Sequence, residues 1–200
     1  MLIVVDSREQ CPFPFTHERY EAKTKQGALT VGDYSLAGLE DKVAVERKSL
    51  PDLVACLGRE RERFERELMR GTALDAFAVV VEADWLMLAR GEYRSQLKPH
   101  AACQSVLAFT ARYRVPFLFA GTRGAAEYMT WGFLRQYLEG VKSFCSIYLS
   151  VLFHANLQKI FLFIPISAEK IKANTPMTLL HFPLELDIKT FKEQKQTTLP

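Results

Sequence analysis

Lys42-Val43-Ala44-Val45-Glu46-Arg47-Lys48, at residues 42–48, runs directly into Ser49-Leu50-Pro51-Asp52. Read with the two-residue period of a β-strand, Ala44, Glu46 and Lys48 share one face, and Val43, Val45 and Arg47 share the other. An acid and a lysine therefore leave the end of an otherwise apolar strand side by side. Ser49 is placed to cap a following helix. Pro51 is tolerated in its first turn, and Asp52 stands at the acidic position of a capping box.

Gly32-Asp33-Tyr34 lies thirteen positions before Glu46. Gly27 and Gly32 supply backbone freedom for a tight turn that carries the Asp33 carboxylate. Gly38-Leu39-Glu40-Asp41 then reads as the turn of a hairpin leading into the Glu46 strand. Asp33 facing Glu46, with Lys48 two residues beyond, supplies the groups needed to hold a divalent cation and position a water near a phosphodiester. Magnesium prefers oxygen ligands and keeps several waters, so carboxylates plus substrate phosphate form a fitting site. Lys48 can orient the water or stabilise growing charge, while Arg47, directed away, can brace the site through a partner carboxylate. Ordinary surface salt bridging accounts for the same letters. Spacing alone leaves both readings open.

The helix opening at Ser49 is expected to run to about Arg70 and stop at Gly71. Leu53, Leu57, Phe64 and Leu68 cluster on one side, and Arg59, Arg63, Arg66 and Arg70 form a stripe opposite or flanking it. That stripe suits phosphate, or a solvated face laced by Glu60, Glu62, Glu65 and Glu67. Leu2-Ile3-Val4-Val5 reads as a central strand delivering Asp6-Ser7-Arg8-Glu9 at its end, where polar groups commonly line a crevice. Cys11-Pro12-Phe13-Pro14-Phe15 breaks any ladder. Further strands are expected over Ala76–Glu82 and Val115–Ala120. Helices are expected around 83–90, over 99–113 and from Thr122 onward. Strands separated by helices give an α/β core with a mixed sheet covered on both faces.

Forty-eight per cent of the 200 residues are hydrophobic, enough for a core, and the net charge of +3 gives little reason by itself to invoke nucleic acid. Cysteines at 11, 56, 103 and 145 form no close pair, and the N-terminus reads as lacking a secretory signal, so a cytoplasmic protein with reduced thiols is expected. Residues 1–135 hold 14 arginines and 5 lysines, whereas residues 136–200 hold 7 lysines and no arginine. The apolar run from Phe144 to Ile166 is interrupted by His154, Asn156, Gln158 and Lys159, which makes it a poor membrane span. Residues 141–200 are accordingly expected to form an atypical C-terminal extension, either a second small packing unit or partly disordered.

Asp6-Ser7-Arg8-Glu9, Gly32-Asp33-Tyr34, Val45-Glu46-Arg47-Lys48-Ser49-Leu50-Pro51-Asp52-Leu53 and Arg63-Phe64-Glu65-Arg66-Glu67 together resemble the nuclease domain of XPF-type structure-specific endonucleases. The resemblance covers about residues 1–135 and is specific as a combination, although each part alone is weak. It implies a restriction-endonuclease-like core with a central mixed sheet flanked by helices, in a nuclease domain over 1–140. It also implies hydrolysis of DNA phosphodiesters with Mg2+, or with Mn2+ substituting, near branched, flap or fork structures in repair or recombination. By that resemblance the metal-binding acids map onto Asp33 and Glu46, with Asp6, Glu9 and Asp52 as further ligands or their supports. The catalytic lysine maps onto Lys48 and the motif's arginine onto Arg47. Arg8 and Arg63 become phosphate or structural contacts beside Arg59, Arg66 and Arg70.

Larger relatives join this domain to paired helix-hairpin-helix modules, and the region after residue 140 lacks their glycine-bearing hairpins. A compact phage or bacterial member is thus expected, in the host cytoplasm or at the nucleoid. It would work alone or with an accessory DNA-binding protein, and away from membranes, and the resemblance also implies homodimerisation through the nuclease domain. The alternative is a noncatalytic DNA-binding repair or recombination module.

Overall fold

The structure, a computed structural model, describes residues 1–161. The chain divides into a compact unit over Met1–Ala155 and a second over Asn156–Pro200. Residues 162–200, most of the extension expected at 141–200, lie outside the described residues.

Among the described residues eight strands form: β1 (Leu2–Asp6), β2 (Thr16–His17), β3 (Tyr20–Glu21), β4 (Lys23–Gly27), β5 (Tyr34–Leu36), β6 (Val43–Lys48), β7 (Ala76–Val81) and β8 (Phe117–Phe119). Strands β2 and β3 make a small ribbon, and the other six make one sheet in the order β4-β1-β5-β6-β7-β8. Strand β1 pairs parallel with β4 and antiparallel with β5, which pairs antiparallel with β6. Strands β6, β7 and β8 follow one another in parallel. The sheet is therefore mixed, as the α/β reading expects, with helices on both faces.

The helices are α1 (Leu50–Leu57), α2 (Arg61–Gly71), α3 (Trp85–Arg90), α4 (Pro99–Tyr113) and α5 (Arg123–Phe161). Ala44, Val79 and Val81 of the sheet join Leu53, Leu57, Phe64, Leu68 and Phe109 in one core layer. Val43, Val45 and Val80 join Ile3, Tyr34, Ala126 and Leu134 in the other. Alternation along β6 and β7 sorts neighbouring residues into different layers. The same rule carries Glu46 and Lys48 toward α1 and α2, and Arg47 toward the α5 side.

One continuous helix over 49–70 does not form. Gly58 takes φ −112° and ψ −103°, outside the helical region, and its amide donates back to Val54 O and Ala55 O. Glu60 N also donates to Ala55 O (2.9 Å), and a new helix begins when Arg61 N bonds Gly58 O (3.2 Å). The break at Gly58 ends α1 immediately before the arginine series, so Arg59 lies in the connection and not on α2. Strand β4 is an addition to the strands that the sequence pattern predicts. It is a polar edge strand, Lys-Thr-Lys-Gln-Gly, exposed over its first four residues and without an apolar pattern to announce it. The expected helix over 99–113 forms with those bounds, and Thr122 Oγ1 accepts from Ala125 N (3.2 Å) at the start of α5. Helix α5 continues through residue 140, so the change from arginine to lysine falls within a helix. Among the described residues no helix is long and apolar enough to cross a membrane.

The turn before β5 depends on Gly32, whose φ is +77°. A Cβ there would stand 3.0 Å from both Ala44 Cβ and Val45 O. Gly32→Ala is expected to lower unfolding free energy by about 1–3 kcal/mol, measured by chemical denaturation. An unchanged midpoint would show that the turn relaxes freely.

Candidate active site

Asp33 is fixed through its main chain on both sides. Its amide donates to Val45 O and its carbonyl accepts from Asp6 N, both at 2.8 Å. Its Oδ2 then accepts from the Arg47 amide at 2.8 Å, which ties the carboxylate to the strand between Glu46 and Lys48. Glu46 is almost fully buried, and Lys48 Nζ donates to its Oε1 while lying 5.5 Å from the centre of the Phe64 ring. Asp33, Glu46 and Lys48 thus meet at the C-terminal end of β6.

Their electrostatics are coupled. Burial pushes Asp33 up to about 6, against the Arg47 N–H bond and the Lys48 charge, which favour its ionised form. Burial and the nearby Asp33 charge both push Glu46 well above the ordinary carboxylate range. Lys48 is raised although burial acts to lower it, because Glu46 and Glu67 favour its protonated form. One ammonium therefore faces two crowded acids. These are hard oxygen donors whose mutual repulsion a divalent cation would relieve. Among the described residues no set of three or more acidic, histidine or cysteine side chains is arranged to hold an ion, so Asp33 and Glu46 would need water or substrate oxygens to complete its shell.

Arg47 points the other way and is nearly enclosed. Its Nε and Nη2 fork onto the two oxygens of Glu9 (3.1 and 3.0 Å), and its Nη1 donates to Glu82 Oε1 (3.0 Å). Arg123 Nη1 donates to the same Glu82 oxygen (2.8 Å), and its Nη2 donates to Cys11 O (2.7 Å). Glu9 is lowered although burial acts to raise it, since the Arg47 guanidinium holds its charge. Both Arg47 and Arg123 stack near the Phe13 ring, at 5.9 and 4.8 Å.

The remaining expected metal-binding acids are committed to other partners. Asp6 is buried and accepts from Arg8 N (2.8 Å), Arg8 Nε (2.7 Å), Arg8 Nη2 (3.0 Å) and Leu29 N (2.8 Å). The Arg8 side-chain bonds, more than any other influence, hold Asp6 down to about 2. Arg8 also donates to Leu29 O (2.8 Å), which pins the loop that leads to Gly32. Asp52 accepts from Ser49 Oγ (2.6 Å) and donates its amide to the same hydroxyl (3.3 Å), at the cap of α1.

A cavity of about 300 Å3 opens beside Lys48 between α1 and α2, and Arg59 and Arg63 line it. A second hollow shares Arg59, Glu60 and Arg63 with it and includes Arg66, whereas Arg70 lines neither. Glu67 is a further residue of this site, beyond those that the sequence motifs mark. It lines the cavity, and its charge acts on Asp33, Glu46 and Lys48. Its signal was its position three residues after buried Phe64 and one before buried Leu68, on the inward-flanking side of α2.

A family model described as the ERCC4 domain matches residues 5–130. Among solved structures, the chain is similar to "XPF from Aeropyrum pernix" with 18% identity and a TM-score of 0.56, covering 76% of this chain and 72% of that one. A second, "XPF from Aeropyrum pernix, complex with DNA", gives 20% identity and a TM-score of 0.56, covering 70% of this chain and 66% of that one. No curated protein matches at the sequence level. The six-stranded mixed sheet flanked by helices is the restriction-endonuclease-like fold of these proteins.

Arg47→Ala leaves the partly buried Glu9 without its cation and Glu82 with Arg123 alone. It is expected to cost about 3–5 kcal/mol of stability by denaturant titration, with Arg47→Lys unable to restore the fork. An effect below about 1 kcal/mol would remove the bracing role. Asp6 has a folded-state value below its ordinary 3.8, so it contributes stability above that value and loses it as pH falls toward about 2. Between pH 5 and 2 the wild type should accordingly lose more stability than Asp6→Asn, measured by thermal unfolding across pH. Parallel losses would contradict the assignment.

Proposed function

Because the chain belongs to the ERCC4 domain family, we propose that it is a divalent-metal-dependent endonuclease that hydrolyses DNA phosphodiester bonds at branched, flap or fork structures in repair or recombination. The observation that carries this reading is the meeting of half-buried Asp33 and buried Glu46 with protonated Lys48 at one strand end beside an open cavity. Mg2+ or Mn2+, held by Asp33 and Glu46, would supply charge stabilisation at the phosphate and a water of lowered pKa.

Every other part falls to the protein's own side chains. Lys48 presents an ammonium to the non-bridging oxygens of the phosphate, or orients the attacking water, from a position that Glu46 and Phe64 restrict. Asp33 is kept in register by the Arg47 amide. Arg47 stays off the substrate and holds β1, β6 and β7 together through Glu9 and Glu82. Asp6 and Asp52 act on position, the first through Arg8 and the second through the α1 cap. Arg59, Arg63 and Arg66 offer cations to the sugar-phosphate backbone, with the salt dependence such contacts carry. Water attacks phosphorus directly, and no covalent enzyme intermediate forms.

The test is a panel of end-labelled linear, flap and fork DNAs incubated with Mg2+ or Mn2+. Asp33→Asn, Glu46→Gln and Lys48→Ala are each expected to reduce nicking by about a hundredfold or more while DNA binding is kept. Binding without cutting of any DNA by the wild type would instead favour the noncatalytic repair or recombination module.

A further inference from the structure

The cavity beside Lys48 has a charge pattern unlike that of a phosphate groove. Lys48, Arg59 and Arg63 line it, and so do Asp52, Glu60 and Glu67, giving three cations against three acids. Its apolar wall is made by Pro51, Ala55, Cys56 and Phe64. Burial pushes the Cys56 thiol up to about 11, so it is a neutral surface and not a nucleophile. At about 300 Å3 the space is at the lower end of small-ligand sites, of the order of ten waters.

The acids within it are unequal. Glu60 is held by Arg59 (3.5 Å) and Arg63 (3.2 Å), and Asp52 by Ser49 Oγ (2.6 Å). Glu67 has no hydrogen bond or ion pair with a described residue. A carboxylate of that kind at the edge of an apolar slot repels phosphate and accepts N–H donors. Nucleobases carry such donors on their Watson–Crick edges, and pairing occupies them in a duplex. An unpaired base has its edge free and its faces ready to pack on apolar walls.

We propose that the cavity between α1 and α2 receives one unpaired DNA base next to the phosphate held at Lys48, with Glu67 accepting from the base edge and Arg59 and Arg63 on its backbone. This deepens the endonuclease reading and rests on it. Selection for branched DNA then has a local origin, since a fork or flap supplies a base free to enter and a continuous duplex does not.

The full chain carrying Asp33→Asn is titrated with fork and duplex DNAs in which 2-aminopurine, or an abasic analogue, replaces each of the three nucleotides on either side of the cut. At one position in the fork the fluorescence should change on binding. The abasic analogue there should lower the fork-over-duplex affinity ratio about tenfold. Ala55→Trp, which fills the cavity, and Glu67→Ala, which removes the acceptor from a partly exposed helix position, should each lower that ratio to a similar extent. The abasic analogue should then have no further effect in Ala55→Trp, as expected for one shared interaction. Circular dichroism checks that both variants fold, and Glu67→Ala stands alone if Ala55→Trp does not. The proposal is overturned if no position responds, or if abasic and cavity effects add independently. If the otherwise unaltered chain with Ala55→Trp cuts forks as selectively as the wild type, the base pocket falls and the endonuclease reading stands. If the Asp33→Asn chain binds no DNA and the wild type cuts none, both fall together.

Discussion

Glu46 lies buried and Asp33 half-buried at the end of one strand pair, and the cost of withdrawing two neighbouring acids from water is the constraint around which the local structure is arranged. Lys48 gives one internal counter-charge from the same face of β6. The Arg47 amide gives Asp33 a hydrogen bond that needs no side chain. Gly32 permits the turn that brings Asp33 there at all, since any Cβ would press on Ala44 and Val45. Burial raises the proton affinity of both acids, so the free protein holds them in a condition that a cation improves. A site of this kind is maintained by its scaffold and not by its own contacts.

Strand β6 could be read from the letters because a period of two leaves no freedom once one face is buried. Val43 and Val45 enter one layer and Ala44 the other, and Glu46, Arg47 and Lys48 follow the same sorting. The bracing role of Arg47 followed from its direction, and its partners Glu9 and Glu82 sit at the ends of the neighbouring structure where apolar strands release polar residues. The break at Gly58 was hidden because leucine and phenylalanine spacing continues across it closely enough to pass for one helix. Glu67 was hidden for a related reason. In a segment dense with arginine and glutamate every acid has a candidate partner three or four residues away, and only the packing of α2 against α1 distinguishes the acids that line the cavity, Glu60 and Glu67, from those that do not. Strand β4 had no apolar signature because it pairs along one edge and exposes most of its side chains.

The α5 side of the sheet carries a second electrostatic assembly, distinct in purpose from the first. Glu9, Arg47, Glu82 and Arg123 form a chain of alternating charge in which each acid contacts a cation, and Phe13 lies under both guanidiniums. Charges satisfied in this manner hold elements in place, whereas the crowded acids on the opposite face stay available for chemistry. Adjacent residues of one strand thus belong to two different systems.

The two systems also differ in when they can be completed during synthesis. Asp33 meets Arg47 across 14 residues within a single hairpin, so the acids and lysine can come together while most of the chain is still unmade. Arg47 reaches Glu9 across 38 residues and Glu82 across 35, and Glu82 in turn waits another 41 for Arg123. Glu82, and with it the chain of alternating charge, therefore has its full set of partners only after α5 has left the ribosome and docked. Helix α5, far in sequence from every acid at the strand end, is in this sense the closing event of the nascent chain.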